Sequence, residues 1–344
     1  MDFQNVTISK EGLARFLQRM RHLEGIHVAA LDKSWSAAAF AAVATYERLK
    51  LLHVPSIYDT WFDDIKAPPT FPALKQLYTL GTTGKALLRL HSANPGIEAI
   101  HLYNGSLTGP EDVLSAASNF ARLTNFKYQP GPGTIVSGRD LVKLAGGCPD
   151  LTYLAIGQDQ AVDPEFVDID DSVIYSIAQS LPALTEFHLI GRPDTYPSIK
   201  AILSAFNQHC PLLNRLEICC GSDWVAFGHA SSQQWLFNHL WTLSLYPRVH
   251  MDLILSEIGY EALLRHFKSF APGWFPKLEF FNIIEADDRE QNFNDYMFEI
   301  WYKRENGSDA GSNGDEDELI EEDNDAEPTA GLIEGVATLD LTRA

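Results

Sequence analysis

A short apolar pattern, Leu-x-x-Leu-x-Leu, returns along most of this 344-residue chain, and a chain that repeats itself at a near-fixed period has few ways to fold. Clear copies read CPDLTYLAI from Cys148, LPALTEFHL from Leu181, CPLLNRLEI from Cys210 and FPKLEFFNI from Phe275. Looser copies read MRHLEGIHV from Met20, YERLKLLHV from Tyr46, NPGIEAIHL from Asn94, NFARLTNFKY from Asn119 and NHLWTLSL from Asn238. FPALKQLYTL from Phe71 begins in step, but its last Leu comes one place late. The first apolar residues of the ten copies are Leu23, Leu49, Leu74, Ile97, Leu123, Leu151, Leu184, Leu213, Leu240 and Leu278, so successive copies lie 23–38 residues apart.

Such an interval holds one strand and one helix. The apolar segments predict the strands. Between them, apolar spacing predicts helices over Ser9 to Met20, Trp35 to Ala44, Glu111 to Asn119, Asp140 to Gly147, Asp171 to Ser180, Pro197 to His209 and Glu257 to Phe270. Several stop at Cys-Pro, Leu-Pro or Phe-Pro, because proline cannot continue a helix. Each strand–helix unit leaves an apolar edge that the next unit covers. Strands stack at about 4.8 Å and helices at about 10 Å, so the stack bends toward its strands. The expected fold class is therefore α/β: a leucine-rich-repeat solenoid with a curved parallel sheet on the concave side and helices outside. One long interval holds DPEFVDIDD, which reads as an acidic loop, and another carries Trp274 and Phe275. YMFEIWYK from Tyr296 is expected to form a closing strand.

Composition narrows the function classes. Hydrophobic residues make up 45% of the chain, enough for a large core. Four cysteines with no CxxC pair make no disulfide scaffold and point to a reducing compartment. No basic stretch followed by an apolar run opens the sequence, so no signal peptide is expected. The longest apolar run, around Trp35 to Ala44, falls short of the roughly 20 residues of a membrane span. A formal charge of −20 argues against nucleic acid or an anionic membrane as the main partner. Eleven acidic residues and no Lys or Arg lie between Glu305 and Glu327, a composition that cannot offset ordering entropy. The expected organisation is a repeat domain of about ten irregular repeats with its closing strand over residues 1–303, and an acidic disordered tail over 304–344. The expected location is intracellular, cytoplasmic or nuclear.

Catalytic motifs are thin. LGTTGKALL, around Gly84 and Lys85, lacks the first Gly and the Ser or Thr of a phosphate loop. GSLTG at Gly105 lacks the central Ser of a hydrolase elbow. Cys219 and Cys220 adjoin a strand and read as buried or rim cysteines. No carboxylate pair or Ser/His/Asp set argues for catalysis, so no catalytic residue, cofactor or metal is assigned.

One constellation stands above this background. In each copy the residue between the second and third Leu points away from the core. In order these are His27, His53, Tyr78, His101, Lys127, Ala155, His188, Glu217, Ser244 and Asn282. The next outward position adds Tyr103, Gln129, Ile190, Cys219 and Tyr246. His and Tyr carry an apolar body with a polar tip, which suits recognition. The recognition candidates are His27, His53, Tyr78, His101, Tyr103, Lys127, His188, Glu217 and Tyr246. Four imidazoles on one face predict binding that changes between about pH 5.5 and 7.5. The alternative is an enzyme or a metal- or ligand-binding protein using the histidine-lined cleft. The blandest reading is a polar sheet face that serves solubility alone.

Cys-Pro-x-Leu-x-x-Leu-x-Ile after a helix, at Cys148 and again at Cys210, resembles the repeats of F-box-type proteins, especially divergent fungal ones, over roughly Ser9 to Ile284. The resemblance implies repeats that hold a protein substrate for ubiquitination and an N-terminal F-box that binds a Skp1-like adaptor. Here the first repeat helix starts near Ser9, which leaves no room for that box, so an adaptor is implied only if an F-box is missing from this chain. The expected function is a non-enzymatic protein-recognition scaffold. Its finer form is the substrate receptor of an SCF-type ubiquitin ligase. A protein partner is expected on the concave face.

Overall fold

The computed structural model describes residues 8–28, 33–63, 71–103, 110–131, 134–157, 164–221, 236–247, 275–278 and 280–283. The expected helix at Glu257 to Phe270, the strand from Tyr296 and the segment 304–344 lie outside the described residues.

The chain is a mixed α/β protein built on one large parallel sheet. Its strands are β1 (Gly25–His27), β2 (Leu51–Ile57), β3 (Gln76–Thr82), β4 (Ala99–Leu102), β5 (Asn125–Tyr128), β7 (Tyr153–Ile156), β9 (Glu186–Leu189), β11 (Arg215–Cys220), β12 (Thr242–Pro247) and β13 (Phe280–Ile283). They lie side by side in chain order. Each begins two residues after the first apolar residue of its copy, whatever the length of the preceding interval.

Backbone hydrogen bonds explain that constant offset. The first apolar residue closes a tight turn: Leu74 N–H reaches Phe71 O, Leu151 reaches Cys148 O, and Leu184 reaches Leu181 O. The next two N–H groups then share one carbonyl of the preceding copy. Lys50 and Leu51 donate to Glu24 O, Thr152 and Tyr153 to Thr124 O, and Trp241 and Thr242 to Asn214 O. Side chains reinforce this ladder where the residue is Thr, with Thr152 Oγ1 donating to Thr124 O at 3.0 Å and Thr185 Oγ1 to Thr152 O at 2.8 Å. Strand side chains alternate, so the second and third pattern positions fill the core: Leu52 with Val54, Phe126 with Tyr128, Leu216 with Ile218. The third copy obeys the same register. Thr79, not the late Leu80, takes the buried place and satisfies its hydroxyl on Gly81 O at 3.0 Å, while Leu80 stays 36% exposed.

Among the described residues, seven α-helices occupy the intervals: α1 (Lys10–Arg19), α2 (Ala37–Ala44), α3 (Gly84–Ala93), α4 (Pro110–Ala117), α5 (Gly138–Gly147), α6 (Asp171–Ser180) and α7 (Ile199–His209). Ser9, Ser36, Thr83, Ser137, Asp170 and Ser198 cap the starts of α1, α2, α3, α5, α6 and α7, each accepting the N–H three residues on. The phosphate-loop look-alike is thus the capped start of α3. The buried faces of the helices join the strand side chains in one continuous core. The helices therefore cover one face of the sheet.

A second, three-stranded parallel sheet was not expected. It joins β6 (Ile135–Ser137), β8 (Glu165–Val167) and β10 (Arg192–Pro193) in the order β10-β8-β6. The stretch read as an acidic loop supplies β8, the buried Phe166 and Ile169, and the Asp170 cap. Beyond the ends of β7 and β9, beside β8, the chain passes so closely that side chains are excluded. Gly157 has φ +79°, and a Cβ there would lie 1.9 Å from Ile190 O; one on Gly191 would lie 2.4 Å from the Phe166 ring.

Candidate functional site

The sheet face opposite the helices carries the row named above. Parallel register sets its members side by side: His27 opposite His53, His53 opposite Tyr78, Tyr78 opposite His101, His101 opposite Lys127. The rings touch in sequence. Centroids are 4.0 Å apart for His27 and His53, 5.7 Å for His53 and Tyr78, and 4.5 Å for Tyr78 and His101. Tyr103 flanks the row, 6.5 Å from His53 and 6.2 Å from His101, with the Lys127 ammonium 5.3 Å over its ring. His27 is exposed; His53, Tyr78, His101, Tyr103 and Lys127 are half-buried.

The row continues through residues that the sequence analysis passed over. Tyr153 stacks on His101 at 6.4 Å and meets His188 at 5.5 Å. Asn125 Oδ1 lies 2.5 Å from His101 Nε2, and Tyr103 Oη lies 3.4 Å from His101 Nδ1. The Asn oxygen only accepts, so Nε2 carries the proton and Nδ1 accepts from the Tyr103 hydroxyl. Tyr153, Asn125, Glu186 and Arg215 all sit two residues before the position first singled out. Alternation places them on the same face, which is the signal that finds them. Ala155 stands between Lys127 and His188 in register, and its small side chain leaves room for the Tyr153 ring.

Two candidates are placed differently from expectation. His188 and Glu217 are 0% and 6% exposed, so they are not presented to a partner. The reason is that they satisfy each other. His188 Nδ1 lies 2.9 Å from Glu217 Oε2, and Nε2 lies 3.5 Å from Glu186 Oε2. Arg215 donates to Glu217 Oε1 through Nε at 2.8 Å and Nη2 at 2.6 Å. Burial would raise the Glu217 pKa, but His188 and Arg215 outweigh it and hold the carboxyl below its ordinary value. Ser244, next in register, is also buried, while Tyr246 is half-buried. Asn282 is in register with Ser244 on β13.

The expectation of four imidazoles titrating near neutrality also needs correction. Burial, helped by the charges of His27 and His101, draws His53 down to about 4. Burial lowers His101 as well, against its bond to Asn125. Burial pushes Tyr153 up to about 12 and raises Tyr78. Near pH 7 the middle of the row is therefore uncharged apart from Lys127.

The cysteines lie in the frame. Cys148 Sγ contacts Ala117 O, Cys210 Sγ contacts Ala178 O and Leu181 O, and burial pushes both thiols up to about 12. Cys219 Sγ donates to Gly191 O at 2.9 Å. Among the described residues no group of three or more His, Cys, Asp or Glu is arranged to hold a metal ion. Among them also, no helix is long and apolar enough to cross a membrane.

No protein-family model matches the chain, and no curated protein matches it. Among solved structures, the crystal structure of the Rad7 and Elc1 complex in yeast aligns over 82% of this chain and 81% of the matched chain, at 11% identity and a TM-score of 0.34. A likeness of that degree carries no weight for fold or function, and both rest on the geometry described above.

Proposed function

We propose that this chain is a leucine-rich-repeat solenoid that acts as a non-enzymatic recognition scaffold, holding a protein partner on its open sheet face. One observation carries the reading: a continuous row of imidazole and phenol rings runs from β1 to β9 on the face that the helices leave uncovered. Rings of this kind combine contact area with few rotatable bonds, and they dominate binding where they cluster. The repeated strand–helix unit and the difference between strand and helix spacing support a concave placement of this face. The Cys-Pro-x-Leu motifs favour, as the finer form, a substrate receptor in an SCF-type ubiquitin ligase. A catalytic use of the His188–Glu217 pair is disfavoured, because both side chains are covered.

The test begins with a partner captured by proximity labelling in the source cell and confirmed with purified components. Tyr103→Ala, and His53→Ala combined with His101→Ala, are expected to weaken it by at least about 10-fold. Lys200→Ala, exposed on α7, is expected to change nothing. The reverse pattern would place the partner on the helices or edge loops and end this reading.

A further inference from the structure

On the open face, His101 has both ring nitrogens engaged, with Asn125 and Tyr103, and His188 is bound to Glu217. His27 and His53 differ. Among the described residues no hydrogen bond reaches either ring. Yet they stand in register on neighbouring strands, with ring centroids 4.0 Å apart and ring planes inclined at 41°. His27 is exposed and His53 half-buried, so the pair lies at the surface with one ring fixed in the sheet.

We propose that His27 and His53 form a two-imidazole binding site for a late first-row divalent cation, copper(II) before nickel(II) and zinc(II). Imidazole nitrogen binds such ions at about 2.0–2.1 Å, so two nitrogens on one tetrahedral ion lie about 3.4 Å apart. A square-planar ion brings them somewhat closer. Rings already in contact reach either distance by turning about their own side-chain bonds. The strands need not move, because parallel neighbours hold the two residues about 4.8 Å apart. The same face of β1 to β3 carries Gly25, Leu51, Gln76 and Tyr78 and no carboxylate, which disfavours magnesium and calcium. Two protein ligands are too few for a closed structural centre, and the exposed side of His27 leaves the remaining positions to water. The bound ion is therefore exchangeable. The site rests on the geometry of the pair and stands whether or not a protein binds the face.

The test titrates the metal-stripped full chain with copper(II), zinc(II) and magnesium chloride by calorimetry, with electron paramagnetic resonance of the copper form. A saturable one-to-one copper event is expected, with hyperfine structure from two imidazole nitrogens. Zinc is expected to bind more weakly and magnesium not at all. His27→Ala and His53→Ala are each expected to weaken copper by at least about 10-fold, the scale on which even outer partners of metal ligands act. His22→Ala, on an exposed turn, is expected to leave it unchanged. His27 is exposed, so its replacement leaves the fold intact and keeps the test decisive if the His53 variant misfolds. Copper binding that survives both substitutions would place the ion on other histidines and overturn the proposal. So would the absence of a saturable event in the unaltered chain.

Discussion

Glu217 is ionised under cover, and it depends on two neighbours to remain so. His188→Ala removes one of them and leaves a buried carboxylate with Arg215 alone. Because Arg215 still holds the carboxylate through Nε and Nη2, the expected cost is about 1–3 kcal/mol, read from chemical denaturation. Adding Glu217→Gln to that variant should return part of the loss, because the two changes break one shared interaction. Acid pH acts on the same face with a definite sign. His53 has a folded pKa near 4, below its unfolded value near 6.5, so the unfolded state binds more protons between them. Stability contributed there is complete above about 6.5 and is lost as pH falls toward 4. His101 works in the same direction. Denaturation midpoints should therefore fall from pH 7 to pH 5, and His53→Gln should flatten that slope; an unchanged slope would mean that His53 titrates freely. At this scale the sequence revealed which positions face outward but not which of them stay covered. Alternation is visible in a string of letters. The closing of His188 over Glu217 is not, because it depends on the register that brings Tyr153 on β7, Glu186 on β9 and Arg215 on β11 together.

A single strand–helix unit is held by its apolar pair and by the turn that starts its strand. Leu154 and Leu216 lie in the core between neighbouring units, 1% and 0% exposed. Alanine at either should cost about 2–5 kcal/mol through lost burial and the cavity left behind. Asn94 tests the turn. Its Nδ2 donates to Phe71 O at 2.7 Å and Leu74 O at 2.8 Å, and its Oδ1 accepts from Gly96 N–H at 2.8 Å. Asn94→Ala removes the side-chain donor from both carbonyls, leaving Phe71 O with the Leu74 N–H, and should cost about 1–3 kcal/mol. From the corresponding helix end Cys148 makes a single sulfur hydrogen bond among the described residues, to Ala117 O, so Cys148→Ala should cost less in the same denaturation series. Long elements were legible because their periodicity extends over many residues: α6 spans Asp171–Ser180, as the spacing predicts. The strands β6, β8 and β10 were not. Two or three residues carry no period, and their pairing is set by contacts between distant intervals.

At the scale of the molecule, each described strand of the main sheet pairs, among the described residues, only with its neighbours in chain order. Damage should then stay local. After Leu216→Ala, amide exchange should quicken most in β9, β11 and β12 and least in β2 and β3. Uniform quickening would mean that the sheet opens as one unit. The order of the strands could be read from the repeat because the pattern marks every unit, including the third, where Thr79 stands in for Leu. The constant two-residue offset between pattern and strand has a practical corollary. Interval length varies, yet the shared-carbonyl ladder returns the main-sheet strands from β2 to β12 to the same start. Extra chain added on the helix side of a unit is absorbed before the next turn, so the ring row is not displaced. A reporter domain or affinity tag spliced there should leave the open face readable, whereas a single residue inserted between two pattern leucines would turn every following side chain of that strand to the opposite side.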